Sequence, residues 1–140
     1  MNEEFIYEEP EEYVNEKGDS RKLARRLIEA GKKKPDYPCA AHHIVAKKML
    51  KASEAQKILD NYKIGINSPY NGIFLPTKKG VSNRAYHCSL HTHQYVEYVN
   101  NELSKAESKK DAYRILSEIA KLLMEGNLVW LDEEGPKKKR

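Results

Sequence analysis

Cysteine, tryptophan and phenylalanine are scarce in this chain, with two Cys, one Trp and two Phe among 140 residues. Two thiols cannot brace a small fold as a multi-disulfide scaffold does, so an ordinary apolar core must hold it. Long hydrophobic runs are missing too, and no apolar segment follows Met1, so neither a bilayer span nor a secretory signal is expected. Positive charge is nearly absent from residues 1–19, where eight acidic residues against Lys17 leave −7. Residues 20–140 hold 24 basic and 13 acidic residues, or +11. The net charge of +4 therefore hides a basic body suited to a polyanion, led by an acidic segment that could shield it or bind something basic.

The length fits one domain with a single core, and no internal repeat is present. Residues 1–19 read as a loosely ordered acidic leader, 20–131 as the domain and 132–140 as a charged tail. Within the leader, Phe5, Ile6, Tyr7, Tyr13 and Val14 are apolar enough to dock as a short strand or turn. Ser20 is placed to cap a helix over 21–30 that Gly31 stops, with Leu23, Leu27 and Ala30 as its stripe. Pro35 and Pro38 then forbid helix and feed an extended chain into Ala41-His42-His43. Ser53 can cap a second helix over 54–62. Asn71-Gly72 signals a turn before a short strand, Ile73-Phe74-Leu75, that Pro76 ends. A third helix is expected from about Leu90, with Tyr95, Val99 and Leu103 on the face of His91. A fourth spans about 109–125 and stops at Gly126, and Leu128–Leu131 reads as a final strand or apolar plug.

The five histidines fall into two knots, His42-His43 and His87-x-x-x-His91-x-His93. Neighbours on a strand point to opposite faces, so His42 and His43 must take different work. Four residues apart on one helical turn, His87 and His91 project together. With one of the His42/His43 pair they make three nitrogen ligands, a count that leaves an open position as catalytic metal sites do. The remaining histidine is available as a base. A strand bearing His-His, a second strand and a helix bearing His-x-x-x-His add up to a ββα-metal core wrapped by helices, a small α+β fold.

Three motifs in order, A-H-H-I-V-A, I-L-x-x-Y-x-I-x-I-N-x-x-x-N-G-I-F-L-P and H-x-x-x-H-x-x-x-Y, resemble the AHH nuclease family of the HNH/endonuclease VII superfamily. The likeness runs from about Ser20 to Gly126. It implies a metal-dependent endonuclease that hydrolyses phosphodiester bonds, of DNA before RNA, as a bacterial toxin or effector. By that resemblance His42, His87 and His91 hold one divalent ion (Mg, Mn, Zn or Ni) and His43 activates the attacking water. Asn71 secures the loop and helps orient the base. Between the later histidines the chain departs from the small residues usual in relatives, having Cys88-Ser89-Leu90.

Lys47, Lys48, Lys78 and Lys79 flank the motifs as candidate backbone contacts for nucleic acid, with Arg84 as a phosphate clamp and Tyr95 as a further contact. The rival reading is a closed structural zinc site of Cys39, His42, His87 and His91 in a non-catalytic nucleic-acid- or protein-binding module. A toxin role would bring an immunity protein as partner, with synthesis in the cytoplasm, export by a dedicated secretion system and action in a target cell. No membrane partner is expected.

Overall fold

A computed structural model describes residues 9–47, 52–90 and 92–126. Among these residues there are five α-helices and one two-stranded antiparallel sheet, a small α+β fold. Strand β1 (Cys39–His43) pairs with β2 (Gly72–Pro76), setting Ala41 opposite Phe74, His42 opposite Ile73 and His43 opposite Gly72.

The register divides the sheet by side-chain alternation. Ala41 and Phe74 turn toward helix α2 (Ser20–Glu29) and close a small cluster with Leu23 and Leu27, against which Cys39 packs. Ile73 and Leu75 turn the other way, into the main core built with α3 (Ser53–Asn61), α4 (His93–Leu103) and α5 (Lys109–Glu125). The sheet is thus the middle layer, with α2 on one side and three helices on the other. Opposite His43, a Cβ on Gly72 would fall 2.5 Å from Leu23 Cδ1, so glycine lets α2 lie directly on the strand pair.

Several boundaries differ from expectation. Asp19, not Ser20, caps α2, accepting from the Arg21 and Lys22 amides, because its extended backbone aims the carboxylate at them. Ser53 is the first residue of α3 and makes no cap bond. Pro69–Asn71 forms a 3-10 turn closed by Ser68, which hands the chain to β2 without a tight hairpin. The helix expected from about Leu90 begins at His93. His87–Leu90 is a separate 3-10 turn, and Thr92, extended at φ −134° and ψ 160°, caps α4 by accepting from the Tyr95 amide. His87 is therefore not on the helix that carries Tyr95, while α5 ends at left-handed Gly126 as its sequence foretold.

The leader departs from expectation as well. Helix α1 (Glu11–Val14) forms inside it, and residues from Glu9 onward bond to the body instead of lying loose. Glu9 accepts from the Gly65 amide and the Tyr113 hydroxyl at 2.8 and 2.7 Å. Glu16 grips Arg26 with both oxygens, each bond 2.7 Å, while the Tyr13 ring covers the guanidinium carbon at 3.5 Å. Residues 1–8, Leu128–Leu131 and the tail lie outside the described residues.

Candidate active site

Both histidines of the pair are buried, His42 4% exposed and His43 6%. They leave β1 in opposite directions, as period-two alternation requires. His42 turns toward the main core. Its ring meets that of His87 edge to face, with centroids 5.2 Å apart, and its Nε2 lies 2.9 Å from the Tyr95 hydroxyl. That hydroxyl donates to the Ile44 carbonyl at 2.9 Å, so it accepts from His42 Nε2–H, and Nδ1 carries the lone pair. Burial drives the Tyr95 phenol far above its ordinary pKa and keeps it protonated for this work.

On the opposite face His43 Nε2 lies 2.9 Å from Oδ1 of Asn67, a side chain with no exposed surface. A carbonyl oxygen only accepts, so His43 Nε2 carries the hydrogen and Nδ1 is the basic nitrogen. Burial is the main cause that holds this imidazole below its ordinary pKa. The Asn67 bond and Asp19 oppose the shift, while Lys47 and His87 add to it. A buried neutral imidazole fixed in one tautomer can take a proton at Nδ1 at neutral pH.

Asn71 is also fully buried and braces the chain beyond β1. Its Oδ1 accepts from the Val45 amide at 2.8 Å, its Nδ2 donates to the Ile66 carbonyl at 2.9 Å, and its own carbonyl takes the Ile44 amide. The loop thus closes on Asn71, whereas the amide that meets the His43 ring belongs to Asn67. Asn67 is not among the residues expected to act, although it stands in the I-N-x-x-x-N motif four residues before Asn71. A short polar residue beside Ile64 and Ile66, in a loop that has to be buried, was the available sign.

His42 and His87 bring two imidazoles side by side, a donor chemistry that fits a divalent first-row metal. His91, the third expected ligand, lies outside the described residues, as does Lys48. Among the described residues no three His, Cys, Asp or Glu side chains gather as a metal site. The closed zinc alternative needs Cys39 and His42 on one ion. Three residues apart in a strand they face opposite ways, and Cys39 packs against the α2 cluster.

The candidate nucleic-acid contacts are dispersed. Lys78 and Lys79 are exposed just after β2, and Lys79 stands over the Tyr86 ring at 5.6 Å. Lys47 is half-buried, its Nζ donating to Ser20 Oγ at 3.0 Å. Arg84 donates from one guanidinium nitrogen to the Phe74 carbonyl at 2.8 Å, which ties the loop after β2 to the sheet. Tyr95 is 2% exposed, its hydroxyl committed to His42 and Ile44, so it acts inside the core and not on a phosphate. No helix among the described residues is long and apolar enough to cross a membrane.

Neither the curated proteins nor the solved structures contain a match to the chain. A family model does match, over residues 23–123, and describes a nuclease family of the HNH/ENDO VII superfamily with conserved AHH. The match covers well over half the chain and includes Ala41-His42-His43, the strand whose two faces carry the site. Nucleic acid is accordingly the substrate class, and this chain belongs to the AHH nuclease family.

Proposed function

We propose that the protein is a metal-dependent endonuclease in which His43 is the general base and His42 and His87, with His91, hold one divalent ion. The observation that carries the reading is the opposed pair on β1, where His42 meets an imidazole and a phenol and His43 meets a single amide. Nucleases of the superfamily are generally metal-dependent. A divalent ion held here would supply positive charge to the phosphate and the departing 3′-oxygen.

The chain's own groups do the rest. His43 Nδ1 takes the proton of a water aimed at phosphorus, and Asn67 accepts the Nε2–H throughout, so the imidazolium that forms keeps its orientation. Tyr95 holds the His42 ring through Nε2, which directs its lone pair away from the phenol. Lys78, Lys79 and the half-buried Lys47 offer charge to the backbone. Asn71 keeps the Ile44–Val45 backbone in place behind both histidines.

DNA before RNA is the substrate in this reading. The biological role is that of a bacterial toxin, exported by a dedicated secretion system and neutralised at home by an immunity protein. Supercoiled plasmid and total RNA, each incubated with Mg, Mn, Zn, Ni or EDTA, test the proposal. Nicked and linear plasmid should appear with a divalent ion and vanish with EDTA. No cleavage of either substrate under any ion would defeat it.

A further inference from the structure

The matched family region begins at residue 23, yet three groups that bond to Asn67 come from residues 16–19. Asn67 Nδ2 donates to the Lys17 carbonyl at 2.9 Å and to Glu16 Oε1 at 3.2 Å, and Oδ1 accepts from the Asp19 amide at 2.8 Å. A carbonyl and a carboxylate can only accept, and a backbone amide can only donate. Turning the Asn67 amide over would set its NH2 against the Asp19 N–H and its oxygen against Lys17 and Glu16. The leader therefore fixes which end of the amide His43 meets.

The fourth bonding position of the amide is the one turned to His43 Nε2, so all four hydrogen-bonding sites of this buried group are filled. The leader is itself anchored on either side of the contact. Glu16 holds Arg26 bidentately, and Asp19 caps α2 through the Arg21 and Lys22 amides. Gly18 lies so close over Lys47 that a Cβ there would collide with the lysine side chain.

We infer that residues 16–19 are a positioning strap that, through Asn67, sets the tautomer and ring orientation of His43. Asn67 is the positioning residue and Glu16 its outer support, both acting through His43 and neither touching substrate. The inference rests on the reading of His43 as the base. A leader acting purely as an electrostatic shield over the basic body would do the reverse, because loosening it would raise activity.

The test is a 15N–1H correlation of the imidazole nitrogens of His43 in the full-length protein, together with steady-state cleavage of plasmid. Wild-type protein should show His43 protonated at Nε2 and bare at Nδ1. In Asn67→Ala the two tautomers should mix, and kcat should fall by roughly tenfold or more with KM unchanged, because only the aim of the base is lost. Glu16→Ala keeps Asn67 in place and should give the same changes in smaller degree, which keeps the test open if Asn67→Ala fails to fold. A wild-type His43 protonated at Nδ1, an unaltered tautomer and kcat in Glu16→Ala, or a rise in kcat in that variant would overturn the strap. Cleavage that survives in His43→Ala would remove the base reading while leaving the imidazole spectrum to judge the strap alone.

Discussion

The two faces of β1 solve the same problem with different materials. On the core side His42 is held by a phenol whose hydroxyl is relayed to the Ile44 carbonyl, two residues beyond His42, between elements that all lie inside the family region. On the α2 side His43 is held by an amide whose orientation comes from a segment preceding that region. A phenol hydroxyl can rotate to donate or accept, so it would suit a histidine that, as proposed above, turns its lone pair to a cation. An amide has a fixed donor end and a fixed acceptor end, and it can impose a tautomer only when other bonds stop it from turning. The His42 face is therefore self-contained, and the His43 face depends on its neighbours.

The largest effects should separate the two histidines outright. His43→Ala should lower plasmid cleavage by about 10²–10⁴-fold while a divalent ion still binds by calorimetry. His42→Ala should lose that binding together with cleavage. If both variants lose metal binding equally, the division of labour between the faces is wrong.

Asn71 belongs to neither face and supports both, so its loss should appear in stability first. Asn71→Ala removes the partners of the Val45 amide and the Ile66 carbonyl within a fully buried site. With each stranded backbone group costing about 1–3 kcal/mol, the variant should unfold about 2–6 kcal/mol more easily in urea. A loss well under 1 kcal/mol would mean that water replaces the amide, and the brace would have to be sought elsewhere.

The two faces also differ in how far they could be read from residue order. Opposed faces for His42 and His43 follow from strand alternation alone, and the helical stripe of α5 with Gly126 as its stop is equally direct. The break between His87 and α4 was hidden, since His-x-x-x-His-x-x-x-Tyr has a helical period until Thr92 takes an extended conformation and restarts the helix. The link from Asn67 to Glu16, Lys17 and Asp19 spans 48–51 residues, and no local pattern pairs an acidic leader with a buried amide. Composition marked the leader as a charged surface, whereas its acids act as individual acceptors for Arg26, Asn67, Tyr113 and two helix amides. Local periodicity therefore reveals the self-contained face, and tertiary bonding builds the dependent one.

Tyr95→Phe would sharpen the account of the core-side face. It strands the Ile44 carbonyl and removes the partner of His42 Nε2 while preserving ring volume. A stability loss of about 1–3 kcal/mol is expected. Metal affinity should weaken by about 10–100-fold, as for other groups that orient a histidine ligand. The His43 spectrum should not change, because the phenol bonds on the His42 side of β1. Unchanged metal affinity would show that the phenol packs against His42 without orienting it.

The smallest effect concerns acid and the leader. The Arg26 guanidinium bonded to Glu16 holds its carboxyl below the usual carboxylate range against the opposing effect of burial, and the Lys22 and Arg21 amides lower Asp19 likewise. Both folded-state pKa values lie below the unfolded ones. The stability they contribute is therefore complete above the ordinary carboxylate range and is lost as pH falls through the lowered values. Glu16→Gln keeps an acceptor for Asn67 but loses the charge facing Arg26. At pH 7 the variant should be less stable by about 1 kcal/mol, and the gap should close as both proteins are titrated below the carboxylate range. Denaturant melts at a series of pH values would read this directly. A gap that persists unchanged into acid would show that the Glu16 carboxylate owes its place to packing, and the anchor of the dependent face would then be Asp19 at the start of α2.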